Sequence, residues 1–342
     1  GAWIHEAPHA AKRDAPSGTA LMLRDTMVGA TYDRPIDMSS TRAGTIPGIH
    51  TVGFDGPSDT IELTHTARDR RGFAAGALLA ARWVQGREGW FTMADVLRHR
   101  VEVDTAAVRR LVRRQIDAGI HFVSPCGTTG EAPTLTPIEK IQVVELVVEE
   151  TAGRVPVLAG AGGYNTREVI ELAREFEQAG ADGILSVTPY YNKPTQEGLF
   201  QHYTAIAEAT SLPIVLYNVP SRTGVNLEVA TVARLSALRN IVGIKEASGN
   251  VVQMSEIIAA VPNDFVLVSG DDPLAVAAMA VGARGLISVA SNAVPAEIVQ
   301  IIELAEKGDY AAARRLHGWL LPFLQVNFVE SNPIPIKAAM AA

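Results

Sequence analysis

The sequence predicts an α/β chain in which a parallel (β/α) barrel follows a small α+β domain. Three of its features point there. From about Asp104, short and nearly continuous apolar runs alternate with longer amphipathic helices, the order of β/α units whose parallel strands are covered on both faces. Polar and reactive residues collect just after several of those runs, where a barrel carries its chemistry. Upstream of Asp104 the texture differs, with turn clusters between extended segments and little helix–strand alternation.

Along the first stretch, Ala15-Pro16-Ser17-Gly18-Thr19 breaks the chain and a helix follows over 20–27, with Ser17 or Thr19 as its cap. Strands are expected at Thr51-Val52-Gly53-Phe54 and Thr60-Ile61-Glu62-Leu63-Thr64-His65, separated by the turn cluster Asp55-Gly56-Pro57-Ser58-Asp59. Residues 73–84 set apolar side chains on a helical stripe. The domains are read as 1–97 and 98–342. In the second, strands are expected over 121–126, 155–160, 183–188, 214–217, 241–245, 265–269 and 285–289, which leaves one barrel strand unaccounted for. Thr136-Pro137-Ile138-Glu139 offers a capping box and a helix-initiating proline, and Gly180 and Gly282 close helices. Gly160-Ala161-Gly162-Gly163-Tyr164-Asn165 follows a strand but has Asn in place of a third glycine. It reads as a tight turn in preference to a dinucleotide loop.

Lys245 ends the run Ile241-Val242-Gly243-Ile244, so its stem leaves an apolar strand at the barrel mouth. Desolvation there disfavours the ammonium, and an amine brought toward neutrality attacks a ketone to form a Schiff base. The competing expectation, a lysine reaching to solvent, is weakened by the neighbours. Tyr217 ends the preceding strand and Tyr191 lies two strands away; phenols beside a cation relay protons, although packing with an anchored hydroxyl is equally ordinary. Thr128 and Thr129, in Cys126-Gly127-Thr128-Thr129-Gly130-Glu131, either bridge the phenols or grip a carboxylate through backbone N–H groups. Arg222, after a Pro-Ser turn, suits bidentate carboxylate capture or a plain surface position. Cys126 reads as a buried filler, and Asp271-Asp272 as caps of the next helix in preference to metal ligands. The eight histidines have no metal-ligand spacing, so no metal is expected.

Composition bounds the function classes. A net charge of −7 over 342 residues argues against nucleic acid or an anionic membrane as partner. One cysteine excludes a disulfide framework and a multi-cysteine metal site. No apolar run nears the roughly 20 residues that span a bilayer, and no basic-then-apolar export segment is visible. A cytoplasmic protein acting on small molecules is expected.

The motifs Gly127-Thr128-Thr129-Gly130-Glu131, Pro189-Tyr190-Tyr191-Asn192-Lys193-Pro194, Tyr217-Asn218-Val219-Pro220-Ser221-Arg222-Thr223-Gly224 and Gly243-Ile244-Lys245-Glu246-Ala247 together resemble the dihydrodipicolinate synthase family over about 103–342. These are pyruvate-dependent, class I aldolase-type enzymes of lysine biosynthesis. The resemblance implies a (β/α)8 TIM-type barrel, here lacking its first strand and C-terminal helices. It implies a Schiff base between Lys245 and pyruvate, and a proton relay of Tyr217, Thr128 and Tyr191, the last presented across a dimer interface. Thr129 would hold the pyruvate carboxylate, Arg222 that of aspartate semialdehyde, and Ile287 and Gly270 would line the substrates. Thr129 and Arg222 favour this branch over the sialic-acid lyases. No cofactor is implied, and the partners are pyruvate, aspartate semialdehyde and further copies of the chain in a homodimer or homotetramer.

Glu6-Ala7-Pro8-His9-Ala10-Ala11-Lys12-Arg13-Asp14-Ala15-Pro16-Ser17-Gly18-Thr19-Ala20 resembles the C-terminal domain of dihydrodipicolinate reductase, with Arg42-Ala43-Gly44 and Glu62-Leu63-Thr64-His65 continuing the likeness to about Leu97. His9, Lys12, Gly18 and Thr19 fall on its substrate-binding positions. Pro8 replaces the first of two adjacent histidines, the reductase's proton donor, and no nucleotide-binding half precedes Gly1. NAD(P)H is therefore not expected, and reductase turnover is not expected either. The alternatives to an active synthase are an inactive fusion or assembly subunit, or vestigial dicarboxylate binding by residues 1–97.

Overall fold

In the computed structural model of the chain, residues 1–30, 32–46, 48–67, 71–84, 89–93 and 103–341 are described. They form two compact units, Gly1–Glu102 and Val103–Ala342. The sequence leaves two ways to meet the missing strand, residues near 90–103 filling the gap or an open barrel; residues 94–102 lie outside those described.

Unit 1 is a four-stranded sheet in the order β2-β1-β3-β4. Strands β1 (Ala2–Ala7) and β2 (Ile36–Ser40) run parallel, connected through helix α1 (Gly18–Gly29). Strands β3 (Gly48–Asp55) and β4 (Thr60–Ala67) form the expected antiparallel hairpin, and α2 (Arg71–Trp83) follows. Ser17 caps α1: its hydroxyl accepts from the Ala20 N–H at 3.2 Å, which decides between the two candidate caps. Along β1 the side chains of Ala2, Ile4 and Glu6 are buried in alternation.

Glu6 therefore places a carboxyl in the interior, 1% exposed. It accepts from the Ser17 N–H at 3.0 Å, the Ser40 hydroxyl at 2.6 Å and Arg42 Nη2 at 2.8 Å. One side chain thus ties β1 to the start of α1, to β2 and to the loop after it.

Unit 2 begins with helix α3 (Thr105–Asp117), capped by Asp104. Helix α4 (Pro137–Thr151) opens with both halves of the predicted capping box, Thr136 with Glu139. Five parallel strands then neighbour one another in sequence order. They are β5 (Leu158–Gly160), β6 (Gly183–Val187), β7 (Ile214–Asn218), β8 (Ile241–Glu246) and β9 (Val266–Ser269). Helices α5 (Thr166–Gln178), α6 (Gln196–Ala209), α7 (Pro220–Thr223), α8 (Val229–Leu235), α9 (Val251–Ala260) and α10 (Ala275–Ala280) intervene or follow. Helices α11 (Pro295–Glu306), α12 (Tyr310–Val326) and α13 (Ile334–Ala341) complete the unit.

A single parallel bridge extends the sheet at each side, Val123 to Val157 and Ser269 to Leu286. The strands expected at 121–126 and 285–289 are thus reduced to one paired position each. With the five strands these make seven consecutive positions, the order of a (β/α) barrel short of one strand. Across the seam, side chains of α3 reach the segment after Leu286: Gln115 Nε2 donates to Ser291 O at 2.9 Å and Arg114 Nη1 to Asn292 O at 3.1 Å. The main core lies between strands and helices, with Phe176, Ile184, Leu199, Tyr203, Ile214 and Leu216 fully buried.

Candidate active site

Every strand of unit 2 delivers its last residues to the same end of the sheet, because parallel strands share a direction. The register pairs Tyr217 with Lys245 and Lys245 with Val268. Lys245 is 8% exposed. Its Nζ sits 4.2 Å from the centroid of the Tyr217 ring, a cation–π distance. Tyr217 is itself buried and packs with Leu185, Val219 and the half-buried Ile287.

Gly270 forms the wall beside the lysine stem. A Cβ there would lie 2.7 Å from Lys245 Cε and 2.7 Å from Ala247 Cβ, so only glycine leaves room for the lysine in this course. The Gly270 N–H donates to Glu246 O at 2.8 Å and the Ile287 N–H to Ser269 O at 2.9 Å, fixing both backbones against the strand ends.

The two threonines stand half-buried on the loop between Val123 and α4. The Thr129 hydroxyl accepts from Asn332 Nδ2 at 3.0 Å, and the Asn332 carbonyl accepts from Arg222 Nη2 at 3.0 Å. Asn332 thus joins the two expected carboxylate anchors from a position 203 residues away from Thr129. It is 6% exposed, and its Oδ1 has no partner among the described residues. Lys337 pairs with Glu131 on the same loop. Arg222 itself is exposed.

Thr128 and Tyr191 are less closely tied. Among the described residues no hydrogen bond joins the Thr128 hydroxyl, the Tyr217 phenol and the Tyr191 phenol. Tyr191 is 89% exposed, and its ring contact is with Tyr164, at 6.5 Å between centroids. Its φ is +65°, and Lys193 has +44°. Cys126 (+57°) and Glu131 (+50°) flank the Gly-Thr-Thr-Gly turn. A left-handed backbone at a residue with a side chain is held only where its surroundings require it, and these four fall in the two loops that carry the candidate residues.

Asp272 departs from its expected role. It opens a 3-10 turn, but its carboxylate is buried and reaches across to accept from the Ser288 hydroxyl, the Val289 N–H at 2.9 Å and the Ala290 N–H at 3.4 Å. Burial pushes the acid up from its ordinary range, against the pull of those donors. It caps the turn after Ile287 instead of its own helix. Cys126 is the expected filler: burial raises its thiol to about 11, out of nucleophilic range. Gly162-Gly163 leads into α5, capped by Asn165.

In unit 1, His9 and Lys12 lie on the loop between β1 and α1, and Lys12 pairs with Asp14 at 3.0 Å. Gly18 and Thr19 are exposed in the first turn of α1. Among the described residues no group of three or more His, Cys, Asp or Glu is arranged to hold a metal ion. No helix among them is long and apolar enough to cross a membrane.

Sequence reasoning passed over Asn332 and Glu246 as functional residues and gave Asp272 a different role, that of a helix cap. The signals available were an Asn-Pro turn at the edge of a helix and an acidic residue ending an otherwise apolar strand.

Comparison with known proteins places both units. Residues 2–97 match the family profile described as dihydrodipicolinate reductase, C-terminus. Residues 92–342 match the profile of the dihydrodipicolinate synthetase family. A 4-hydroxy-tetrahydrodipicolinate synthase of Koribacter versatilis (strain Ellin345) is 50% identical over 240 residues, covering 70% of this chain and 80% of its own length. The crystal structure of dihydrodipicolinate synthase from Aquifex aeolicus superposes with a TM-score of 0.69 at 44% identity, over 70% of this chain and 82% of that one. The 4-hydroxy-tetrahydrodipicolinate synthase structure from the methanotroph Methylacidiphilum fumariolicum SolV gives 0.70 at 46% identity, over 70% and 80%. By sequence and by the barrel that carries Lys245, the chain belongs to the dihydrodipicolinate synthetase family.

Proposed function

We propose that unit 2 condenses pyruvate with L-aspartate 4-semialdehyde to 4-hydroxy-tetrahydrodipicolinate, a lyase reaction of the lysine (diaminopimelate) route, through a Schiff base on Lys245. The observation that carries this is the Lys245 amine, nearly buried at a strand end and 4.2 Å over the Tyr217 ring. The amine attacks the keto carbon of pyruvate, and loss of water gives the imine. Removal of a methyl proton then makes an enamine that adds to the aldehyde carbon. The amino group of the former semialdehyde attacks the imine carbon and releases Lys245.

Tyr217, with Thr128 and Tyr191, moves the protons of these steps. Thr129 and the neighbouring loop hold the pyruvate carboxylate, and Arg222 holds that of the semialdehyde. Gly270 and Ile287 shape the wall beside them. No cofactor enters, because the lysine imine itself is the electron sink. The exposure of Tyr191 supports a homodimer or homotetramer in which a second copy receives this phenol. His9, Lys12, Gly18 and Thr19 are a vestigial dicarboxylate site. A cytoplasmic setting suits these small-molecule substrates.

Borohydride reduction of the full chain with pyruvate tests the reading. A reduced pyruvyl adduct mapping to Lys245, lost in Lys245→Ala, is expected. Folded protein that never acquires the adduct supports the non-catalytic alternative.

A further inference from the structure

Lys245 and Glu246 are consecutive on β8, and Tyr217 and Asn218 are consecutive on β7, so each pair points its two side chains to opposite faces. The register sets Tyr217 beside Lys245 and Asn218 beside Glu246. One face therefore carries the candidate active site. The other carries two polar side chains, both 0% exposed.

Their hydrogen bonds form a closed network. Glu246 Oε1 accepts from the Ser248 N–H at 2.7 Å. Oε2 accepts from Asn218 Nδ2 at 2.9 Å and from Gln253 Nε2 at 3.1 Å. Asn218 Nδ2 also donates to Asn226 Oδ1 at 2.8 Å, and Asn226 Nδ2 to Gln253 Oε1 at 2.9 Å. Asn218 Oδ1 accepts from the Leu227 N–H at 2.9 Å. Every group that faces the Glu246 carboxyl is an N–H donor, and no ion pair to Glu246 exists among the described residues.

The network has a direction. Asn218 opens, and Leu227 closes, the segment that contains Arg222, so a single amide grips both ends of that segment. Lys245 is held separately by the strand ladder on both sides, where the Ala247 N–H donates to Asn218 O at 2.9 Å and the Gly270 N–H to Glu246 O at 2.8 Å. We propose that Glu246 is a positioning residue: with Asn218, Asn226 and Gln253 it clamps the Arg222 segment at a fixed place relative to Lys245, and so sets affinity for the second substrate without governing imine formation. This rests on the roles of Lys245 and Arg222 proposed above.

Glu246→Gln keeps the shape but turns one acceptor into an NH2 that meets an N–H donor, leaving both without partners. The experiment compares the full-length wild type, Glu246→Gln, Arg222→Lys and the double variant. Its readouts are pyruvate trapping by borohydride and steady-state kinetics with aspartate semialdehyde. Glu246→Gln should trap pyruvate with half-saturation within about twofold of wild type, while KM for the semialdehyde rises about tenfold or more. In the double variant the two effects should not multiply, because both act through the same guanidinium. Half-buried Asn226→Ala should raise the same KM less, which keeps the test open if Glu246→Gln folds poorly. An unchanged semialdehyde KM, or pyruvate trapping that weakens in parallel, overturns the clamp while leaving the Lys245 chemistry intact. A wild type that traps no pyruvate overturns the underlying reading instead, and the clamp with it.

Discussion

At Gly270 one methyl group is enough to ask how closely Lys245 is held. The added carbon would sit 2.7 Å from Lys245 Cε and 3.2 Å from Cγ, well inside contact distance. Overpacking of this kind typically costs about 1–3 kcal/mol and is relieved by moving the more flexible side chain, here the lysine. Misplacing a reacting nitrogen by about 1 Å costs about a hundredfold in rate. Gly270→Ala should therefore lower kcat about a hundredfold and suppress borohydride trapping, while circular dichroism stays that of the wild type. Unchanged kinetics would mean that the lysine stem does not use that space. At this scale the placement of Lys245, Tyr217 and Arg222 was legible in the sequence, because the first two stand near the ends of apolar strands and the third on a Pro-Ser turn. Asn332 was not, because its partner Thr129 is 203 residues away and proximity of that kind leaves no local pattern. Asp272 misled for a related reason: adjacent carboxylates before a helix look like caps, whereas this one accepts from the distant Val289 and Ala290 N–H groups.

Elements with strong punctuation read correctly. The capping box of α4, the hairpin of β3 and β4 and the apolar cores of β6 to β8 are all local features. Strand β1 escaped because its inward row ends in a glutamate, and β2 because Ile36–Ser40 is a short, mostly polar edge strand. The glutamate makes unit 1 sensitive to acid. Burial pushes the Glu6 carboxyl up, but hydrogen bonds from Ser17, Ser40 and Arg42 together outweigh it and hold the group at about 2, below its ordinary 4.5. The folded value is the lower one, so the unfolded chain binds more protons through this window. The contribution to stability is complete only well above pH 4.5, falls as the pH drops toward 2, and amounts to about 3 kcal/mol at most. Hydrogen exchange of peptides from β1 and β3, corrected for intrinsic rates, should show wild-type protection falling between about pH 5 and pH 3. Glu6→Gln should start less protected at neutral pH and change little over that range. Parallel pH profiles for the two proteins would remove Glu6 from the account.

For the whole molecule, the two textures of the sequence correspond to the two compact units, and the count of strand candidates already left the barrel one short. How unit 2 manages its seam was not legible, because Gln115 and Arg114 cross it to backbone carbonyls, and carbonyls carry no sequence signal. Tyr191 poses the remaining question at this scale. It is 89% exposed and held at a positive φ, while Lys245 of the same chain is nearly buried. If the phenol serves a neighbour's site, two inactive chains should repair one another. In a heterodimer of Lys245→Ala and Tyr191→Phe, the second chain keeps its lysine and receives an intact Tyr191 from the first, so one of its two sites is whole. Random pairing makes half of all dimers mixed, and equal amounts of the two variants, unfolded and refolded together, should recover about a quarter of wild-type activity. Each variant refolded alone should stay at its own background. If the mixture gives no more than the mean of its parents, Tyr191 does not act across an interface, and the proton relay must be completed within a single chain.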